Sequence, residues 1–133
     1  MYKEVREAWL AEQRETAIRP LNNDFFGGAR RYLKQLEDTE GEMPELLKVK
    51  KERVKYMLMD LVELRLEKMF SSVITGVHLN DEALTQGERS IYDDLRRLLK
   101  AEEDRLEELG EEEFVVVRLL VDLPEIVGAD LQT

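Results

Sequence analysis

The 133-residue sequence contains no cysteine. That excludes disulfides, thiolate metal sites and cysteine nucleophiles, and it fits a reducing compartment. Histidine occurs once, at His78, so neither a histidine-based metal set nor a serine–histidine pair can be assembled around it. Proline is scarce, with three copies, and Pro20, Pro44 and Pro124 each punctuate the chain where one segment gives way to another. Long apolar runs are missing too. No window approaches the ~18 apolar residues of a membrane span, and the opening MYKEVREAWLAEQRE is charged and amphipathic, unlike a signal peptide. These absences lead us to expect a soluble intracellular protein, cytoplasmic, with no membrane partner. A glycine-rich phosphate loop following a strand is also lacking.

Charge and helical periodicity are what the chain has in abundance. Charged residues make up 38% of it, against about 25% in ordinary globular proteins, a surplus suited to long solvated helices. The net charge of −10 is unevenly placed. Residues 1–100 hold 18 basic and 19 acidic side chains, whereas residues 101–133 hold 2 and 11. A terminal quarter of that character repels nucleic acid and attracts basic proteins. With 43% apolar residues the chain can still bury a core, enough for one domain with a small appendage.

Four helices are legible. The first is expected from about Tyr2 to Thr16, with Tyr2, Val5, Ala8 and Trp9 on one face. Pro20 and its neighbours break it, and Asn22 or Asn23 can cap the second helix, where Phe25, Ala29, Tyr32, Leu33 and Leu36 form one stripe. Gly27 and Gly28 in its first turns read as close packing or a loose start. Pro44 suits the first position of a third helix, which should run to Thr75 and stop at Gly76 in a left-handed conformation. At that length it spans about 50 Å, too long for so small a domain unless part of it packs on something else. Its apolar positions include Leu47, Val54, Met57, Leu58, Leu61, Leu64, Met69 and Val73. Thr85 and Glu88 form a capping box for a fourth helix, with Ile91, Tyr92, Leu95, Leu98, Leu99, Leu106 and Leu109 expected inward and Gly110 as its stop. The fold class is therefore mainly α, a four-helix bundle-like domain with one long helix, followed by a short C-terminal β segment.

Asp93 and Asp94 are adjacent on a helix and point about 100° apart, so they form no dyad. Glu-x-x-His pairs for a di-iron bundle are lacking. No catalytic constellation, metal set or cofactor site emerges, and we expect no enzyme. The basic turn Lys48, Lys50, Lys51, Arg53 and Lys55 could meet phosphates or an acidic partner, although its alternation with Glu45 and Glu52 also suits a solvated helix face. Glu111, Glu112 and Glu113 after the fourth helix oppose its dipole and read either as a docking patch for a basic partner or as a solvated hinge. The run from Val115 to Val121 is aliphatic except for Arg118, the pattern of a strand covered on both faces. No second strand exists in the chain to pair with it. Trp9, Phe25, Phe26, Leu58 and Leu61, together with Val115, Val117, Leu119 and Val121, are the candidate subunit-interface residues, since aromatics are enriched at interfaces and a lone strand needs a partner.

VRLLVDLPEIVGAD, residues 117–130, resembles the segment that opens the small β-rich domain of archaeal GINS subunits, in the Sld-five-like branch. YKEVREAWLAEQR resembles that family's first helix and PLNNDFFGGARRYL its second. LVELRLEKMF, residues 61–70, is similar to part of its third, and LTQGERSIYDDL, residues 84–95, to its fourth. The likeness covers nearly the whole chain, diffuse through the helices and specific at VDLPEIVG. It implies a helical domain over residues 1–110, then an acidic linker and the first strand of a small β domain over residues 111–133. In the family that segment runs on into a Tyr-Gly-Pro turn and further strands, so the β domain here reads as cut short. The resemblance also implies a non-enzymatic scaffold, a homo- or heterotetramer with other GINS subunits. That scaffold links the MCM helicase and a Cdc-forty-five/RecJ-like protein in archaeal DNA replication, with weak or indirect DNA contact. The alternative is a generic helical adaptor whose basic turn binds nucleic acid, with a carboxylate metalloenzyme third.

Overall fold

The computed structural model describes residues 1–39 and 44–108. It contains α1 (Tyr2–Arg14), α2 (Phe25–Asp38), α3 (Pro44–Thr75), a single 3₁₀ turn (Asp81–Ala83) and α4 (Gln86–Glu107). The mainly α class is as read from the sequence. The expected β segment, with Leu109, Gly110 and the acidic triplet, lies outside the described residues. None of the described helices is long and apolar enough to cross a membrane.

α3 is a spine with a different set of partners on each half. Its first half packs against α1 and α2, burying Val5, Phe25, Ala29, Val54, Met57 and Leu61. Its second half packs against α4 and the connecting loops, burying Ile18, Met69, Leu79, Ala83, Leu84 and Tyr92. On α3 the buried positions Val54, Met57, Leu61, Arg65 and Met69 recur every three or four residues, the spacing of one helical face. α1 runs in the same direction as α3, because Trp9 meets Asp60 and Glu12 meets Arg65 further along. α4 does so too, since Glu88 meets Arg65 and Tyr92 meets Ser72.

Local chemistry sets the helix ends. α1 stops at Arg14, two residues short of the expected Thr16, because Glu15 is extended (φ −94°, ψ 142°). Lys68 reaches over from α3, and its Nζ lies 2.8–3.3 Å from the carbonyl oxygens of Glu12, Glu15 and Ala17. A cation there satisfies carbonyls that the helix leaves unpaired. The asparagines act differently from expectation. Asp24 occupies the N-cap of α2 and makes no side-chain cap bond. Asn22 Oδ1 accepts from the Asp24 amide, and Asn23 Oδ1 accepts from the amide of Gln86 at the start of α4. Gly76 ends α3 at φ +75°, as its sequence position predicted. Thr85 and Glu88 form the predicted capping box.

Two inward assignments on α4 are corrected. Ile91 is 42% exposed and Leu98 62% exposed. α4 buries only the strip that faces the second half of α3, where Tyr92 is buried, so residues a third of a turn away face outward.

Candidate assembly surface

The centre of the molecule is a charged cluster rather than an apolar one. Arg65 is fully buried on α3, between the two apolar clusters, and every N–H of its guanidinium has an acceptor. Nε and Nη2 grip the two carboxylate oxygens of Glu88 at 2.7 Å each. Nη1 donates to Glu12 Oε1 at 2.8 Å and to the Arg19 carbonyl at 2.6 Å. Nη2 also reaches the Ala83 carbonyl at 3.1 Å. Lys68 adds a second cation to Glu12 at 2.6 Å. Burial alone would lower the pKa of Arg65, but the hydrogen bonds and charges of Glu88 and then Glu12 outweigh it, and the pKa is raised. The cluster ties α1, α3, α4 and the α1–α2 and α3–α4 connections together, and its groups are mutually satisfied. It has no free valence for substrate. Sequence reading found Glu88 only as a cap and missed Arg65 and Glu12. The signal was present: Arg65 falls on the Leu61–Met69 core stripe, and Glu12 continues the Val5, Ala8, Trp9 stripe of α1.

Opposite that stripe, α3 carries a second apolar face. Val49, Tyr56, Met59 and Phe70 are each more than half exposed. With Glu52, Glu63 and Leu66 they occupy positions 49, 52, 56, 59, 63, 66 and 70, alternating steps of three and four. That is the spacing of a helix–helix seam, here pointing at solvent. Leu66, Phe70 and Ile74 line a shallow groove of about 480 Å³ at its far end. At its near end, α1 and α3 enclose a cleft of about 560 Å³, with Tyr2, Trp9, Val49, Tyr56 and Met57 in its walls. The Trp9 and Tyr56 rings meet edge to face, with centroids 6.0 Å apart, and Trp9 Nε1 donates to Asp60 at 2.7 Å.

The structure sorts the candidate interface residues. Leu61 and Phe25 lie in the core, with 0% and 8% of their surface exposed. Trp9, Phe26 and Leu58 are half-buried against it. Tyr56, Met59 and Phe70, the most exposed members of the outward face, were not singled out as interface candidates, because a helix apolar on two sides gives no single stripe to read. Val115, Val117, Leu119, Val121 and Glu111–Glu113 lie outside the described residues. Within the basic turn, Lys51 bridges Glu37 at 3.0 Å and Lys50 lies 5.4 Å from the Tyr2 ring centre. Lys48, Arg53 and Lys55 are exposed, and Lys48 and Arg53 rim the cleft beside Arg6. Among the described residues no group of three or more His, Asp or Glu side chains is gathered for a metal.

No curated protein and no solved structure matches the chain. The family model of the GINS complex subunit Psf2/Psf3-like N-terminal domain matches residues 2–120. That span takes in every described helix, including the outward face of α3 and the Arg65 cluster, in a family of non-catalytic scaffolds of DNA replication. The chain belongs to the GINS family of complex subunits.

Proposed function

We propose that the chain is a non-enzymatic scaffold subunit of an archaeal GINS complex, cytoplasmic and associated with the nucleoid, which joins the MCM helicase to a Cdc-forty-five/RecJ-like protein at the replication fork. Family membership supports association with other GINS subunits, as a homo- or heterotetramer. One observation carries the scaffold reading: the outward face of α3, whose Val49, Tyr56, Met59 and Phe70 stand in solvent at seam spacing. Covering each large apolar side chain stabilises an interface by roughly 1.5–3 kcal/mol before association costs. A helix of a sister subunit fits such a face better than any small molecule does. Placement in the Sld-five-like branch rests on VRLLVDLPEIVGAD; the matching family model is the Psf2/Psf3-like one.

The basic turn supplies at most weak contact with DNA, because the acidic terminal quarter opposes it. The test is isolation of the tagged chain from its native host. A second GINS subunit, MCM and the Cdc-forty-five/RecJ-like protein should co-purify with the native chain and be lost together from a Tyr56→Glu, Phe70→Glu variant. Recovery of the chain without any of them would reject the proposal.

A further inference from the structure

A basic rim and an acidic chain segment lie far apart on this molecule. The cleft between α1 and α3 is rimmed by Arg6, Lys48 and Arg53, with Glu52 the one acid lining it. Among the described residues none of those three cations makes an ion pair. The opposite end carries Glu102, Glu103, Asp104, Glu107 and Glu108 on α4 and its cap against Lys100 and Arg105, the latter paired with Glu102, and the chain continues Glu111-Glu112-Glu113-Phe114. An acidic triplet followed by an aromatic ring and aliphatics is the chemistry that an apolar cleft with a cationic rim accepts.

A chain cannot place its own acidic segment there. α4 runs alongside α3 in the same direction, from Glu88 beside Arg65 to Tyr92 beside Ser72 and onward past the end of α3. The cleft begins at Met57 and lies behind Arg65, whereas Glu107 lies ahead of it. At about 1.5 Å per helical residue the separation is about 40 Å or more. The six peptide units from Glu108 to Phe114 span at most ~22 Å. A neighbouring copy set antiparallel brings its acidic end to the basic cleft and receives the reciprocal contact, as a two-fold interface requires.

We propose that Glu111–Phe114 of a second copy of this chain docks in the α1–α3 cleft, its carboxylates over Arg6, Lys48 and Arg53 and its Phe114 ring against Trp9 and Tyr56. The cleft is the near end of the outward α3 face, so this contact rests on the reading of that face as an assembly surface. It sets the orientation of the two copies, because a parallel pairing would put like charge on like.

Because the chain has no cysteine, introduced pairs report the contact directly. Chains carrying Glu112→Cys should form a mixed disulfide with Arg53→Cys chains about tenfold faster than with Arg30→Cys chains, whose cysteine sits on the exposed side of α2. Reversing the rim with Lys48→Glu and Arg53→Glu should weaken self-association about tenfold at low salt. Adding Glu111→Lys, Glu112→Lys and Glu113→Lys to the same chain should restore it. Equal disulfide rates, or no restoration by the swap, would overturn the contact. Self-association that survives both reversals but is lost in Phe70→Glu would overturn it and leave the α3 reading standing. So would a chain that is monomeric alone and assembles with a sister GINS subunit. A chain monomeric in both settings would overturn both.

Discussion

Arg65 presents five N–H groups to five acceptors in the dry centre of the molecule. Taking one partner from such a cluster leaves the others charged and buried. Arg65→Met should therefore cost about 3–5 kcal/mol of folding stability, seen as a lower urea midpoint at unchanged slope. Arg65→Lys keeps the charge and loses the fork that spans both Glu88 oxygens, and it should also destabilise, by about 1–3 kcal/mol. A loss below the uncertainty of the extrapolation for either variant would mean that the cluster is hydrated in solution. At the surface, the Lys51 hydrogen bond and charge, aided by Lys55 and Lys34, hold the Glu37 carboxyl below its usual 4.5. A depressed carboxylate stabilises the fold above its unfolded pKa, and that contribution is lost as pH falls through the lower folded pKa. Lys51→Met should move the Glu37 titration, followed by NMR, up toward 4.5; an unmoved titration would show that the pair does not persist in water. Glu37 and Lys51 lie near one helix junction, so their meeting was within reach of sequence reading. The Arg65–Glu12 contact joins residues 53 apart in the chain and depends on how α1 crosses α3, which periodicity does not encode.

At the scale of elements, the backbone rules placed both ends of α3 and the start of α4 by residue, while α1 ended two residues early and α2 took Asp24 as its N-cap. Pro44 opens α3 and Gly76 closes it because one suits a first turn that lacks a donor and the other accepts a positive φ without strain. Two glycines separate conformation from space, since a Cβ at either Gly76 or Gly87 meets no atom within 4 Å. Only Gly76 has a positive φ. Gly76→Ala should lower stability by about 1 kcal/mol, while Gly87→Ala, inside α4, should raise it by up to ~1 kcal/mol. Thermal unfolding of the two variants checks the pair, and shifts of the same sign would contradict the assignment of the α3 stop. Sequence reading went astray on Ile91 and Leu98 because it took α4 as apolar toward one common core. α4 touches only the second half of the spine, so its buried strip is narrow.

For the whole molecule, the excess length of α3 was the observation that pointed beyond a single chain, and the structure shows where that excess goes. One face is consumed by two intramolecular clusters, and the other carries Val49, Tyr56, Met59 and Phe70 in solvent with Glu52 and Glu63 between them. A patch of that extent marks an interaction surface in a folded protein. The direct test is the mass in solution, by light scattering at tens of micromolar, of the native chain and of a Tyr56→Glu, Phe70→Glu variant, each alone and mixed with a sister GINS subunit. The account predicts an assembly larger than a monomer for the native chain in at least one of these settings. It predicts a monomer in both for the variant, with unchanged helicity and a urea midpoint only slightly lowered, because both side chains are more than half exposed and Tyr56 gives up one edge contact with Trp9. A native chain monomeric in both settings, or a variant that assembles as well as the native chain, would contradict it.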